Sequence, residues 1–231
     1  MFEDHNTEQN GRARIGRRHT SHFRFLLIAI ALMFAVRPFV EGYAAIGLLT
    51  DIFLFLILLS GAYAFSDQGR VFLLVLVIVL SGFVLGVISY LVSSGLLEVI
   101  KSVLVAMFLA CVLAIILSKV FREKEVTEDL VTGAVCAYFL MGMLWAYVFY
   151  FLALAEEDSF ANLNAVARDI GPFMYFSFVT LATLGYGDIV PRTGPAQSLA
   201  ALESIIGQLY LAITIARQVG VYSSQFRFKE K

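Results

Sequence analysis

Long apolar stretches separated by short polar segments dominate the hydrophobic pattern of this chain. The candidates for helices that cross a membrane are residues 25–40, 44–65, 71–92, 96–120, 130–154 and 198–219. Because an α-helix rises about 1.5 Å per residue, roughly 20 apolar residues span a hydrocarbon core of about 30 Å. The pattern therefore predicts an all-α membrane protein with six transmembrane helices.

The first stretch is shorter than the others and follows a leader that is rich in arginine. A basic leader before a short apolar core is also typical of a signal peptide. No convincing small-residue cleavage site follows. We therefore interpret residues 25–40 as an uncleaved helix, in which Arg37 reaches toward the lipid headgroups.

The composition supports this interpretation. Hydrophobic residues make up 60% of the chain and charged residues only 15%. An ordinary soluble domain is less apolar, so the sequence predicts an integral membrane protein. The net charge of −1 says little about partners, because in a membrane protein the positions of the charges matter more than their sum.

The positions of lysine and arginine predict the orientation. If the N-terminus is cytoplasmic, all but four of the 17 basic residues fall on the cytoplasmic side. The four exceptions are Arg37, Lys101, Arg168 and Arg192. Because cytoplasmic segments are enriched in Lys and Arg, we predict a plasma membrane protein with both termini in the cytoplasm and residues 155–197 outside.

This outer segment contains an apolar run, residues 172–182, that is too short to cross a membrane. Asp169 and Pro172 are typical of a helix start, since proline is tolerated in the first turn. We therefore predict a re-entrant half-helix. Non-helical backbone at membrane depth is tolerated only where it is buried in protein or lines a water-filled path, so the glycine-rich stretch that follows is predicted to line one.

That stretch consists of Thr183, Leu184, Gly185, Tyr186 and Gly187, and Asp188 follows it. A dehydrated potassium ion exchanges its water ligands for protein oxygens, which consecutive backbone carbonyls can supply. Glycine at 185 and 187 adopts positive φ at little cost, which lets neighbouring carbonyls point toward one axis. The stretch resembles the selectivity filter of potassium channels, and the order of helices around it is similar to the pore of that family.

The resemblance implies a prokaryotic-type potassium channel with a pore loop and six spans per subunit. It implies that K⁺ binds at Thr183, Leu184, Gly185 and Tyr186, and that the side chains of Leu184 and Tyr186 pack behind the filter. One copy of the motif supplies one wall of a pore, so we predict a homotetramer with a fourfold axis. The C-terminal ends of the pore helices then favour a cation in the central cavity.

Departures from the family pattern concern the support of the filter. Many relatives carry a tryptophan pair on the pore helix, where this chain has Tyr175 and Phe176. Val179 occupies the site of a glutamate in some prokaryotic channels, and Ala182 replaces a common threonine. Tyr175 can donate a hydrogen bond and Phe176 cannot. We expect these side chains and Asp188 to support the filter, although its stiffness does not follow from the resemblance.

Three further features have two interpretations each. Gly207 lies where the family has a bending glycine, and it is either a gating hinge or a point of close packing against the pore helix. Glu203 lies at membrane depth, and it is either functional or a hydrogen-bonded structural residue behind the pore. The acidic residues 156–158 either concentrate cations at the pore mouth or form a solvated loop.

The first four stretches predict a peripheral domain that is not a voltage sensor. A voltage sensor carries a basic residue at every third position, whereas residues 96–120 contain only Lys101 before the terminal Lys119. Asp51, Glu98 and Lys101 are instead candidates for structural ion pairs. What opens the pore does not follow from the sequence.

The predicted organisation has four parts: a basic cytoplasmic N-terminal segment (1–24), a four-helix peripheral domain (25–120), a pore domain (130–219) and a short cytoplasmic tail (220–231). The pore domain divides into outer helix 130–154, turret 155–171, pore helix 172–182, filter 183–188 and inner helix 198–219. The tail is too short for a ligand-binding domain, so we expect no nucleotide or calcium sensor in it.

The predicted function is passive, potassium-selective conduction. The alternatives are a non-selective cation channel of the same fold and a non-conducting regulatory membrane subunit. An enzyme is not predicted, because His5, His19 and His22 all lie in the leader and no catalytic or metal-ligand cluster appears. We expect no cofactor other than K⁺ as the permeant ion. The expected partners are three further copies of the chain and membrane lipids, with no nucleic acid.

Overall fold

The computed structural model describes residues 22–40, 95–123, 125–163 and 170–229, with isolated helical positions between 52 and 88. The elements in chain order are α1 (His22–Val40), α2 (Gly95–Arg122), α3 (Glu128–Ala155), a 3₁₀ turn (Glu157–Ser159), β1 (Phe160–Ala161), α4 (Gly171–Leu181), β2 (Val190–Pro191) and α5 (Gly194–Lys229). Several predicted features lie outside the described residues: 1–21 of the N-terminal segment, most of the second and third spans, Asp51, Asp169 and the side chains of Arg37 and Glu98.

By length and composition, three of the described helices are able to cross a membrane. They are Gly95–Arg122, Glu128–Ala155 and Gly194–Ser223, which correspond to the predicted fourth, fifth and sixth spans. The first span also forms a helix, but its apolar part, Phe23–Val36, is shorter. The chain is therefore a mostly helical membrane protein.

One helix boundary and one part of the fold class differ from the prediction. Helix α5 continues to Lys229, so most of the predicted tail 220–231 is helical. The prediction ended this helix where the apolar stretch ends, whereas helix formation continues because no proline follows and residues such as Gln225 and Lys229 favour helices. The fold is also not purely helical, since β1 and β2 form a short antiparallel pair in which Phe160 lies opposite Pro191.

Helices α1, α2 and α3 meet at one level. The backbone N–H of Phe23, at the start of α1, donates to Asp129 Oδ1 at 3.3 Å, and Lys119 near the end of α2 lies 4.0 Å from Asp129 Oδ2. A Cβ added at Gly133 of α3 would lie 3.0 Å from the Phe23 ring, so a side chain there would require the ring to shift. The starts of α1 and α3 and the end of α2 are thus held together.

Helix α4 packs between α3 and α5. Proline in its first turn starts the helix without losing a hydrogen bond, as predicted for Pro172. Its inner residues, including Phe173, Phe176 and Leu181, are buried. The 11-residue helix is too short to cross a membrane, and its buried residues pack against α3 and α5.

Candidate functional site

The filter segment, residues 183–188, folds back onto the end of α4. The N–H of Thr183 donates to the carbonyl oxygen of Thr180 at 2.9 Å, and the N–H of Leu184 donates to the carbonyl oxygen of Val179 at 2.9 Å. Gly185 also donates to the carbonyl of Val179, at 3.4 Å. These bonds satisfy carbonyls that a helix end leaves unpaired, and they fix where the filter segment leaves the helix.

The backbone of the filter segment alternates in handedness. Thr183, Gly185 and Gly187 have φ values of 58°, 56° and 79°, whereas the intervening Leu184 and Tyr186 are not in this positive region. Sequence reasoning assigned positive φ to the two glycines but missed Thr183. A residue with a Cβ in this region costs of order 1–3 kcal/mol, so the surrounding contacts must hold Thr183 there. The two-residue period of the glycines is the signal that could have revealed it.

All residues from Ala182 to Asp188 are exposed in the single chain. The side chains of Leu184 and Tyr186 are 58% and 68% exposed. Among the described residues they therefore lack the packing contacts that were predicted behind the filter.

Asp188 is bound by Tyr175 of α4. The Tyr175 hydroxyl donates to Asp188 Oδ2 at 2.6 Å, and the N–H of Ile189 donates to Oδ1 at 3.0 Å. The hydrogen bond from Tyr175 lowers the pKa of Asp188 below its ordinary value, because it stabilises the ionised carboxylate. The donor capacity predicted for Tyr175 is thus used on the residue that ends the filter segment.

An aromatic cluster supports α4 on its buried side. The Phe176 ring lies 4.9 Å from Phe149 of α3 and 5.3 Å from Phe160 of β1, both edge to face. Phe173 contacts Phe160 in the same way, at 5.9 Å. Such pairs contribute about 0.5–1.5 kcal/mol each beyond the area they bury. Phe176 therefore supports α4 by packing rather than by hydrogen bonding, and Val179 is buried one turn later.

The pairing of β1 with β2 links the turret to the segment that follows the filter. Beside the strands, the N–H of Arg192 donates to the carbonyl oxygen of Ser159 at 2.8 Å. In the turret itself, Ser159 Oγ donates to the backbone carbonyl of Glu156 at 2.7 Å, while Glu156 and Asp158 are exposed. The chain leaving the filter segment is thus attached to the aromatic cluster through Phe160.

Gly207 is a point of close contact with α4. A Cβ added at Gly207 would lie 2.6 Å from the carbonyl oxygen of Leu181 and 2.8 Å from its Cδ1. Helix α5 runs through this position without interruption. The described state thus contains the predicted close packing, and the gating hinge at Gly207 stays a prediction.

Glu203, the other inner-helix candidate, is fully buried and touches α4. Ser177 Oγ lies 2.5 Å from Glu203 Oε1 and 2.7 Å from the carbonyl oxygen of Gly142 on α3. The other carboxyl oxygen, Oε2, has no hydrogen-bond partner among the described residues. Glu203 therefore belongs to a hydrogen-bonded contact of three helices.

Arg217 connects α5 to the end of α2. Its guanidinium donates to the carbonyl oxygens of Val120 at 3.3 Å and Glu123 at 2.8 Å. Carbonyls at the C-terminal end of a helix lack intrahelical partners and favour a cation. Sequence reasoning counted Arg217 only as an orientation signal.

Comparison with known proteins adds an independent result for this region. Residues 137–223, from the middle of α3 into α5, match a protein family described as ion channel. The chain is 29% identical over 99 residues to two pore potassium channel a of Oryza sativa subsp. japonica, covering 43% of this chain and 26% of that protein. It is 42% identical over 53 residues to a Rhodopseudomonas palustris protein whose name describes it as a potassium channel protein, covering 23% of this chain and 12% of that one.

The chain thus spans about a quarter or less of the length of these relatives. No solved structure gives a significant match. The matched region contains the filter segment, α4 and the contacts of Glu203, Gly207 and Tyr175.

Proposed function

We propose that the chain is one subunit of a potassium-selective channel that conducts K⁺ passively, and the match of residues 137–223 to the ion channel family supports this. The observation that supports this best is the alternating backbone of residues 183–187 directly after the half-length helix α4. A surface turn would not require three positive φ values at every second position.

The alternation has a direct chemical consequence. In a regular strand successive carbonyls point to opposite sides, whereas a positive φ at every second residue turns them toward the same side. The carbonyl oxygens of residues 183–186 and the Thr183 hydroxyl then replace the hydration shell of a K⁺ ion. The C-terminal end of α4 adds about half a negative charge directed at the cavity below.

A closed pore requires several copies of this wall. At membrane depth the filter backbone must be covered by protein or water, and in one subunit it is exposed. Helix α5 also leaves large apolar side chains exposed, including Ile205 at 56% and Leu209 at 54%. We propose that four copies surround a fourfold axis, with α5 lining the cavity and Leu184 and Tyr186 covered by neighbouring subunits.

The proposed location is the plasma membrane, with both termini in the cytoplasm. Arg24 of α1 pairs with Glu128 at the start of α3 at 2.6 Å, and Lys119 near the end of α2 lies 4.0 Å from Asp129. Arg217 of α5 reaches the end of α2, where Arg122 also lies, so these basic residues lie near one level. A basic belt on one side is typical of the cytoplasmic face. The arrangement supports an outer location for the filter segment and the turret.

Purified protein in liposomes tests the function. We expect K⁺ and Rb⁺ to pass far faster than Na⁺, and Ba²⁺ to block the flux. Equal K⁺ and Na⁺ permeability in bi-ionic reversal measurements would replace the proposal with a non-selective cation channel. A folded tetramer with no flux of either ion would favour the non-conducting regulatory subunit.

A further inference from the structure

The Ser177 hydroxyl lies within hydrogen-bond distance of two acceptors, Glu203 Oε1 and the Gly142 carbonyl oxygen, but it can donate only one hydrogen. Ser177 Oγ carries a single hydrogen, and the Gly142 carbonyl can only accept. An ionised Glu203 carboxylate can also only accept. One of the two contacts, 2.5 Å or 2.7 Å, would then bring two oxygens together without a hydrogen between them.

A neutral carboxyl group removes this conflict. Its hydroxyl donates to Ser177 Oγ, and Ser177 donates to the Gly142 carbonyl, so both short contacts become hydrogen bonds. The surroundings agree, because Glu203 and Ser177 are both 0% exposed, and the ion pairs Arg24–Glu128 and Lys119–Asp129 do not involve Glu203. An isolated ionised carboxylate in such a site costs several kcal/mol more than the neutral acid.

Glu203 contacts the Ser177 hydroxyl of α4, and the Gly142 carbonyl lies beyond it. Neither of these groups carries a charge that would balance an ionised carboxylate. No lysine, arginine or histidine of the described residues contacts Glu203, so among them nothing favours the charged form over the neutral acid.

The location of the contact gives it a mechanical role. At Gly142, an added Cβ would lie 2.6 Å from the Phe178 ring of α4, so α3 and α4 approach closely there. At Gly207, one turn after Glu203, α5 and α4 approach closely as well. Glu203 and Ser177 thus join α4, which directly precedes the filter segment, to both helices that flank it.

We propose that Glu203 is a positioning residue that acts as a neutral acid: it donates to Ser177, which donates to Gly142, and this relay fixes α4 and the filter between the outer and inner helices. It does not attract ions as a negative charge. The positioning role rests on the proposed pore, whereas the protonation of Glu203 does not.

The protonation is tested by isotope-edited infrared spectroscopy on the folded protein at neutral pH, which does not depend on conduction. We expect the carbonyl band of a neutral carboxyl group, shifted by ¹³C-labelled glutamate and lost in Glu203→Gln. The matched control is Glu128→Gln, because the Glu128 side chain is 86% exposed and should not contribute to this band. A spectrum in which Glu203→Gln removes no neutral-acid band would overturn the proposal.

The positioning role is tested by K⁺ flux and tetramer stability. Glu203→Gln keeps a donor for Ser177, so its K⁺ flux and tetramer stability should stay within about twofold of the parent. Glu203→Leu and Ser177→Ala should each lower the flux about tenfold or more, since each leaves a buried polar group unpaired. The Glu203→Leu/Ser177→Ala double variant should be no worse than the poorer single variant. If Glu203→Gln lost as much flux as Glu203→Leu, the negative charge would be required and the proposal would be wrong.

Discussion

Replacement of Gly207 by alanine separates the two interpretations of this residue. The added Cβ would lie 2.6 Å from the Leu181 carbonyl oxygen, well inside ordinary contact, and a backbone atom cannot rotate away. Forcing such a group into a packed contact costs about 1–3 kcal/mol. Alanine offsets about 0.5–1 kcal/mol of this by its better helix propensity. The midpoints of these ranges give an expected net loss of about 1 kcal/mol per subunit, repeated in every copy of a tetramer.

The assay is thermal dissociation and unfolding of the tetramer in detergent, with K⁺ flux measured on the same preparation. The matched control is Gly220→Ala, because Gly220 lies in the same helix and an added Cβ there meets nothing within 4 Å. The control should be as stable as the parent or slightly more stable, while Gly207→Ala should melt at a lower temperature and conduct less. A Gly207→Ala tetramer that melts at or above the parent temperature, with only its open probability changed, would refute close packing and favour a hinge.

Three other predictions concern conduction. Gly185→Ala should abolish selective flux in a folded protein, since a Cβ at φ 56° costs about 1–2 kcal/mol per subunit. The control Gly194→Ala should conduct normally, because Gly194 has no positive φ and an added Cβ there meets nothing within 4 Å. The hydrogen bond from Tyr175 lowers the pKa of Asp188, so the stabilisation of the filter segment by this bond is fully present above the ordinary value of 3.8. It is lost as the external pH falls through the lowered pKa, and Tyr175→Phe should shift the acid-induced loss of flux to higher pH. Open probability in planar bilayers should change only gradually between about −100 and +100 mV, because Lys101 can supply at most about a quarter to a third of the usual gating charge per subunit. A steep sigmoidal activation curve would contradict this expectation.

The half-helix and the filter could be predicted from the sequence because their signals are local. An apolar run of half the membrane thickness, a proline at its start and two glycines with a two-residue period are all visible within residues 171–187. The structure has the helix at Gly171–Leu181, one residue from the predicted range, and positive φ at both glycines. Local chemistry decides these features, so no distant contact was needed to predict them.

The support around the filter could not be predicted in the same way, because its partners come from distant parts of the chain. Phe176 packs on Phe149 and on Phe160, and Ser177 contacts Glu203 and Gly142. The sequence identifies Glu203 as a buried carboxyl without indicating which hydroxyl it meets. The positive φ of Thr183 is likewise imposed by the hydrogen bonds to the end of α4 and not by the preference of threonine.

The stiffness of the filter segment depends on the contacts of α4, because this chain has Tyr175 and Phe176 in place of the tryptophan pair of many potassium channels. One side of α4 is held by the edge-to-face contacts of Phe173 and Phe176, which have no directional donor and tolerate small shifts. Among the described residues, the side-chain hydrogen bond that holds the filter segment runs from Tyr175 to Asp188, beside the backbone bonds at its start. In the proposed channel, α4 is therefore held by several contacts, whereas the Asp188 end of the filter segment relies mainly on the bond from Tyr175. Loss of that bond should release the outer end before it displaces the helix.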